Sequence, residues 1–363
     1  MAVTFSTVLP STSTTVFEYT LEHATDFADE VSPAIQEIHG IKYARPLNVT
    51  VAPWLVHEYG LGPISQFFDT IEETIDEGRP WQHLRGTPAA VTTALGWLDY
   101  DSIFIEDQVR GRRRWHLYQI GMGELPGADE VNRLMSAEYL AGLSDPARSY
   151  FWRGYHGYDV RGHVYGRSRW GRSMWGDSSG VRLPGGKVKW SHGRSHLVDA
   201  TAEAGKAADL AVSYTDGDPL TWLPTITWAA PGVTWEGVTD ARVLKSWLMR
   251  QKTAYIGVFD ADGDAIGYAA VLREVRDITD YEDVSDTVEL VYEASIAFGA
   301  ASGDAASVAV VFGGQSTANK PAKPWLSPAE IDFPDGDIHV GTTAAVFSFQ
   351  RTIRERVVIH LTI

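Results

Sequence analysis

The spacing of apolar residues changes near residue 100, and no other feature of the sequence constrains the fold as strongly. Before residue 100, apolar side chains recur every three or four positions, which is typical of amphipathic helices. After it, short alternating or continuous apolar runs are separated by turns rich in Gly, Asp and Arg, which is typical of strands. Helices followed by strands, with a further helix among them, predict an α+β fold.

Three helices are predicted in the first part of the chain. The first has apolar residues at 4-3-4-3 spacing and is expected to end at Pro33, since proline interrupts a helix. The second begins at Pro63, has acidic residues opposite its apolar face and is expected to end at Gly78. The third follows Thr87, whose hydroxyl can accept a hydrogen bond from the first turn, and Pro88 suits the first helical position.

The second part of the chain is predicted to be mainly β. Strands are expected near 102–105, 115–120 and 146–152, with a helix over about 128–142. Residues 155–196 are dense in Gly, Trp, Tyr and Arg and predict short strands with tight turns. Alternating runs in the last part, the last of them at the end of the sequence, indicate a β-sandwich whose strand edges could serve for association.

A chain of 363 residues exceeds the size at which one core stops growing, so more than one domain is predicted. We expect an α+β domain at 1–155, a segment rich in Trp, Arg and Gly at 156–225, and an antiparallel β-sandwich at 226–363. Cysteine is absent, which excludes disulfides and fits synthesis in a reducing cytoplasm. Neither a membrane span nor a secretion signal is expected from the sequence.

Charge is distributed unevenly along the chain. Residues 1–109 have 4 basic and 16 acidic side chains, residues 110–199 have 15 and 8, and residues 200–363 have 12 and 23. The basic middle contains 13 arginines and 2 lysines. Arginine suits bidentate pairing at interfaces, and the acidic flanks would repel phosphate. This pattern favours docking on an acidic protein neighbour over nucleic-acid binding.

Residues 176–180 match the G-x-S-x-G pattern of a serine nucleophile, and residues 260–264 imitate the start of a calcium loop. The serine pattern requires a helix after it, but the sequence that follows contains Pro and two Gly, so a turn between strands is favoured. The calcium pattern requires Gly and Glu where Ala265 and Val271 stand, which favours a solvated hairpin turn. Neither pattern therefore predicts a catalytic or metal site.

Three other patterns are weaker. Residues 185–187 lack the spacing and the hydroxyl residue of a phosphate-binding loop. His192 and His196 lie in a segment typical of a strand and turn, and no third ligand has zinc-like spacing. Carboxylates are abundant enough for a glycosidase pair, but they show no recognisable catalytic arrangement. No enzyme activity, metal or cofactor is predicted.

The 13 tryptophans leave two interpretations open. Tryptophan fills cores and interfaces, and at interfaces arginine is enriched with it, so packing and assembly are the favoured role. Aromatic faces also suit the stacking of sugar rings, which leaves glycan contact possible for the C-terminal domain.

Four ordered segments carry a resemblance to a known family. They are an opening Leu-Pro-Ser at 9–11, a Pro-Trp-Leu segment at 53–59, the Arg-Gly-Thr-Pro-Ala-Ala-Val motif at 85–91 and a Pro-Ala-Arg at 146–148. The motif residues are Leu9, Pro10, Pro53, Trp54, Arg85, Gly86, Thr87, Pro88, Pro146 and Arg148. In order and spacing, residues 5–155 resemble the bacteriophage tail protein I family, whose members are baseplate wedge components.

This resemblance implies a structural virion protein, made in the host cytoplasm and built into the tail baseplate. Implied partners are other baseplate subunits, tail-fibre proteins and copies of the chain itself in a symmetric assembly. The alternative is a tail-tip adhesin whose C-terminal β-domain binds host-surface glycan. A cell-wall-degrading enzyme is a third and less favoured interpretation.

Overall fold

A computed structural model describes most of the chain. The described residues are 15–25, 28–107, 115–166, 168–169, 171, 173–201, 254–271, 276–277, 289–317, 323–334 and 337–362. The chain divides into two compact units, Met1–Leu98 and Asp99–Ile363. The described residues of the first unit form helices, and those of the second unit contain the sheets, which confirms the predicted α+β class.

The first unit is built from short helices. They are α1 (Val16–Thr25), α2 (Ala28–Gly40), α3 (Ala52–Glu58), a 3₁₀ helix (Gly62–Phe67), α4 (Ile71–Leu84) and α5 (Pro88–Gly96). Buried aliphatic side chains from the last four of these helices and the turns beside them form the core, with Trp81 among them. By contrast, several apolar side chains of α1 and α2 are exposed.

Three expectations for the helices of this unit are wrong. Pro33 lies inside α2, which continues to Gly40 because the loss of one backbone hydrogen bond does not outweigh the remaining ones. The predicted second helix is interrupted after the 3₁₀ helix, and α4 begins anew at a capping box formed by Thr70 and Glu73.

Gly78 lies within α4 and does not end it. A Cβ atom at this position would approach Leu61 and Ile64 to within 2.8 and 2.9 Å. Glycine therefore allows close packing of α4 on its neighbours, and tertiary contacts outweigh its low helix propensity.

The described part of the second unit contains two larger sheets, a short 3₁₀ helix (Pro328–Glu330) and α6 (Glu130–Ser144), which runs two residues later than predicted. Its first strands are β1 (Phe104–Glu106), β2 (Leu117–Gly121), β3 (Tyr150–His156), β4 (Val181–Arg182) and β5 (Lys189–Thr201). The strands that follow are β6 (Tyr255–Phe259), β7 (Ala265–Ala270), β8 (Arg276–Asp277), β9 (Glu289–Ile296) and β10 (Asp304–Phe312). The last are β11 (Gln315–Ser316), β12 (Trp325–Leu326), β13 (Ile331–Asp332), β14 (Ile338–Ser348) and β15 (Ile353–Thr362).

One sheet has the order β1-β2-β3-β5-β15-β9-β8, with β4 paired to β5, and the other has the order β12-β7-β6-β10-β14. Strands β2, β3, β5 and β15 pair in parallel, and α6 makes the crossover between β2 and β3. The C-terminal strands β6, β7, β10 and β14 pair antiparallel, as predicted. Buried residues of both sheets, among them Tyr292, Ile359, Ile256 and Val310, belong to one hydrophobic cluster.

Strand β5 runs over 13 residues, so this part of the chain contains a long strand as well as the short ones expected. It pairs with β15 from His192 opposite Ile353 to Thr201 opposite Thr362. Strands before and after residue 155 therefore share one sheet. The contact units differ from the division at 155 and 225 that composition suggests, and that division stays a prediction.

Candidate functional site

The Arg-Gly-Thr-Pro motif forms the turn between α4 and α5. Gly86 has φ +85°, a left-handed conformation that favours glycine. The Thr87 hydroxyl accepts a hydrogen bond from the Ala90 N–H at 3.3 Å and donates one to the Leu84 carbonyl at 2.6 Å. Pro88 begins α5, and the Arg85 guanidinium lies 5.2 Å from the ring centre of Trp81. The predicted cap is confirmed, and the motif is a structural turn.

The remaining family residues lie in different local settings. Pro53 stands in the first turn of α3, where Trp54 is 73 % exposed. Pro146 and the exposed Arg148 connect α6 to β3, and the strand begins at Tyr150, later than expected. Leu9 and Pro10 lie outside the described residues. The described motif residues therefore belong to separate helix starts and connections.

Helices α1 and α2 expose apolar residues at helical spacing. Phe17 and Leu21 of α1 are 75 % and 52 % exposed, and Val31, Ile35 and Ile38 of α2 are 47 %, 49 % and 66 % exposed. We call these five residues the helical stripes. Isolated helices of 10 and 13 residues are only marginally stable in water, so burial of such stripes would stabilise them. Exposed apolar residues grouped in this way are typical of association surfaces.

The segment that carries the stripes is acidic. Residues 1–41 contain six Asp or Glu residues, whereas the first Lys or Arg is Lys42. Glu18 and Glu37 are exposed on α1 and α2. The backbone and hydroxyl of Thr15 both donate to Glu18, which lowers the pKa of this carboxyl group and keeps it ionised. A partner surface should therefore combine apolar and basic side chains.

A second exposed apolar surface lies in the long connection between β3 and β4, residues 157–180, which we call the aromatic loop. At its tip Tyr165 is 79 % exposed and Trp175 is 63 % exposed. Both rings pack against His163, with ring centres 5.2 and 4.9 Å from it. Backbone hydrogen bonds from His163 to Met174 and from Met174 to Arg161 hold the two limbs of the loop together.

The sequence of the tip repeats every five residues. Each of Tyr165, Trp170 and Trp175 is followed by a glycine, and the structure gives Gly166, Gly171 and Gly176 φ values of +78°, +80° and +78°. These left-handed turns require glycine after each aromatic residue. The repeat is therefore the sequence signal that could have located this surface.

A buried arginine anchors the base of the loop. The Arg153 side chain is fully buried and forms an ion pair with Asp159. It also donates to the Ser179 carbonyl at 2.9 Å and hydroxyl at 2.7 Å, and to the Gln119 amide oxygen at 3.3 Å. The guanidinium thus joins both ends of the aromatic loop to β2. No local sequence pattern distinguishes this arginine from its neighbours, so sequence reasoning missed it.

The G-x-S-x-G serines are structural. Ser178 accepts a hydrogen bond from the Gly162 N–H, and Ser179 accepts one from the Val160 N–H at 3.1 Å. Both serines are buried, and strand β4 follows them, where a nucleophile motif would have a helix. The predicted turn between strands is confirmed.

The phosphate-loop and calcium-loop imitations also form turns. Glu138 accepts hydrogen bonds from the backbone N–H groups of Lys187 and Val188, and so occupies donors that a phosphate would need. Asp260 accepts from the N–H groups of Asp262 and Asp264 in the turn between β6 and β7, as a hairpin requires. Within the described ranges, no three His, Asp or Glu residues are grouped so that they could hold a metal ion.

His192 and His196 lie on strand β5 and contact different groups. The His192 Nδ1 atom lies 2.9 Å from the Thr352 hydroxyl, and burial lowers the pKa of His192 to about 3. His196 and Arg194 contact the buried Glu355 at 2.9 and 2.6 Å. Burial alone would raise the pKa of Glu355, but these two hydrogen-bond donors outweigh it and lower the pKa. Both histidines therefore serve the packing of β5 on β15.

The described tryptophans include both buried and exposed residues. Trp81, Trp152, Trp190 and Trp325 are buried, whereas Trp54, Trp115 and Trp175 are exposed. No helix in the described part of the chain is long and apolar enough to cross a membrane.

Residues 9–139 match the sequence model of a phage tail protein family (Tail_P2_I). The match ends inside α6 and covers about a third of the chain, so the predicted resemblance is confirmed over this segment. It indicates a structural component of a phage tail. No curated protein and no solved structure matches the chain.

Proposed function

We propose that this protein is a structural component of the tail baseplate that links the wedge or hub to peripheral tail-tip or fibre proteins. The observation that carries the proposal is the pair of exposed apolar stripes on α1 and α2, which lie inside the segment that matches the tail protein family. A subunit of an assembly buries such stripes against neighbours, and this burial supplies much of the free energy of association.

The candidate catalytic patterns also support an assembly role. The serine hydroxyls at 178 and 179 accept hydrogen bonds from the backbone of their own loop, and the residues of each other candidate motif form turns or pack strands. Assembly needs exposed complementary surfaces and does not need a nucleophile or a metal. We propose that the protein acts in the virion without catalysing a reaction, and that it is synthesised in the host cytoplasm.

The adhesin alternative assigns glycan binding to the C-terminal strands. The favoured role for residues 156–363 is instead to hold neighbouring subunits or a fibre, because exposed aromatic residues stand beside arginines in the aromatic loop. Glycan-array binding by the full-length protein would support the adhesin.

Incorporation into tails tests the proposal. The double variant Ile35→Ser/Ile38→Ser removes apolar surface from α2 without cutting into the core, so the protein should fold but enter assembled tails poorly. The control Val346→Ser changes an apolar residue that is 84 % exposed on β14. Gradient-purified tails should contain wild type and the control at equal levels and at least tenfold less of the double variant. Equal incorporation of all three proteins would overturn the proposed role of the stripes.

A further inference from the structure

The aromatic loop and the helical stripes have complementary chemistry. Residues 160–176 contain four arginines and no Asp or Glu, whereas residues 1–41 contain six acidic residues and no Lys or Arg. Each surface also exposes large apolar side chains, Tyr165 and Trp175 on the loop and Phe17 and Ile38 on the helices. Opposite charge around exposed apolar groups is the composition expected of two surfaces that bind each other.

We infer that the aromatic loop of one copy of this protein docks on the helical stripes of a second copy. Tyr165 and Trp175 supply the apolar contact, and Trp and Tyr contribute most to many protein interfaces. Arg169 is exposed on the same loop, whereas Arg161 already pairs with Glu106 and Asp159 of its own chain. Carboxylates such as Glu18 and Glu37 are exposed on the helices. Arginine and carboxylate groups form strong charge-assisted hydrogen bonds, which would fix the orientation of the contact.

Charge favours this head-to-tail contact over a symmetric one. A loop facing a loop would bring arginines together, and stripes facing stripes would bring carboxylates together, so both arrangements are repulsive. A head-to-tail contact uses a different surface on each copy and closes into a ring or continues as a filament. The net charge of −16 repels copies at long range, but salt screens this repulsion beyond about 8 Å.

The chemistry of the loop favours a protein partner over a sugar. Residues 160–176 contain no Asp, Glu, Asn or Gln, so the exposed part of the loop around Tyr165 lacks the carboxylate and amide side chains that would accept hydrogen bonds from sugar hydroxyls. The carboxylates of the flanking Asp159 and Asp177 pair with Arg153 and Lys189. The Ser178 and Ser179 hydroxyls are buried at its base. Arginine, tyrosine, serine and glycine on a preformed loop are instead typical of protein-binding surfaces.

Contacts at the base of the aromatic loop hold its binding surface in one conformation before any partner binds. The buried Arg153 fixes Asp159 and Ser179, one on each limb, and backbone hydrogen bonds join the limbs again near Met174. A preformed loop loses little conformational entropy on docking, which favours association. The inference rests on the proposed function, since it names the partner of the stripes that carry that function.

Sedimentation velocity of the full-length protein tests the inference, with two variants whose exposed positions leave the cores intact. The loop variant is Tyr165→Ala/Trp175→Ala, and the stripe variant is Phe17→Ser/Leu21→Ser. Wild type should associate as its concentration rises, and more strongly at about 50 mM than at about 500 mM salt. Each variant alone should associate at least tenfold more weakly. The control Trp115→Ala changes an aromatic residue that is 54 % exposed outside both surfaces and should behave as wild type.

A mixture of the two variants gives the decisive result. The stripe variant retains an intact loop and the loop variant retains intact stripes, so the mixture should form a one-to-one pair that cannot grow further. A monomeric wild type, a mixture that stays monomeric, or a variant that alone associates as wild type would overturn the inference. If wild type is monomeric but enters tails, this inference fails and the proposed function stands; absence from tails defeats the proposed function itself.

Discussion

The carboxylate of Glu130 binds Thr352, a residue 222 positions later in the chain. Glu130 accepts hydrogen bonds from the Thr352 N–H at 2.6 Å and from its hydroxyl, and from the Arg351 N–H at 3.0 Å. Glu130 lies at the start of α6, inside the segment that matches the tail protein family, whereas Thr352 precedes β15. The contact therefore fastens the connection between β14 and β15 to the family-matched part of the second unit.

Glu130→Gln should lower the free energy of unfolding by about 2 kcal/mol, because hydrogen bonds to a charged buried group are among the stronger ones. The amide nitrogen of Gln would also face backbone donors. Thermal unfolding of the full-length protein measures the change. Glu124→Gln, which alters an ion pair with Arg133 whose carboxylate side chain is 49 % exposed, is the matched control and should change stability by less than about 1 kcal/mol. Equal effects of the two substitutions would contradict a structural role for Glu130.

Stability should depend on pH through His192. The Thr352 hydroxyl donates to Glu130, so His192 donates its Nδ1 proton to Thr352, and among described groups its buried Nε2 atom has no hydrogen-bond partner. Burial, and then His156 opposite it, lower the pKa of His192 from 6.5 to about 3. The folded state therefore binds fewer protons than the unfolded state between these values. The stability that neutral His192 contributes is therefore fully present above pH 6.5 and is lost as the pH falls towards 3.

The slope from one such proton is about 1.4 kcal/mol per pH unit. His192→Gln keeps a donor for Thr352 but does not titrate, so its stability should fall less steeply than that of wild type between pH 6 and pH 4. Denaturant unfolding of both proteins at several pH values gives the two slopes. Carboxylates such as Glu355 contribute equally to the pH dependence of both proteins. Parallel plots of unfolding free energy against pH would therefore show that His192 does not titrate as the structure requires.

The family motif should act on stability through its helix cap. Thr87→Ala removes the acceptor for the Ala90 N–H and should cost about 1 kcal/mol. Gly86→Ala places a Cβ atom at φ +85° and should cost roughly 1 kcal/mol or more. Thr92→Ala, at an exposed position within α5, is the control and should leave stability unchanged or raise it by up to about 0.7 kcal/mol, because alanine has the higher helix propensity. A Thr87 variant as stable as this control would show that the cap contributes nothing measurable.

Arg153→Lys should destabilise the second unit by on the order of 3 kcal/mol, since lysine cannot reproduce the forked contacts with Asp159 and Ser179. Limited proteolysis should then cut within the aromatic loop, because its base is no longer held. Arg148→Lys, at an exposed position before β3, should leave stability and the cleavage pattern unchanged. Resistance of the loop in Arg153→Lys would contradict the anchoring role.

The local spacing of apolar residues predicted the helices and most strands, because this spacing depends only on residues that are close together in the sequence. The prediction failed at Pro33, because the remaining backbone hydrogen bonds of α2 outweigh the one that proline removes. It also failed at Gly78, because close packing on Leu61 outweighs the low helix propensity of glycine. The pairing of β5 with β15 joins residues more than 150 positions apart, and no local pattern encodes it.

The assembly surfaces were only partly predictable. An apolar helix stripe has the same residue spacing whether it packs in the core of its own chain or is exposed for a partner. Ile35 and Ile38 could therefore be assigned to an exposed face only once the core was known. The density of Gly, Trp, Tyr and Arg in residues 155–196 indicated turns at the aromatic loop. Its exposure depends on the distant Arg153 network, which the sequence does not reveal.

A density map of purified particles tests the central claim most directly. If the protein is a baseplate component, the helices of residues 15–96 should fit density in the baseplate, with the stripes of α1 and α2 covered by neighbouring chains. Density that places these helices in a distal fibre, or leaves the stripes exposed to solvent in the assembled particle, would contradict the claim.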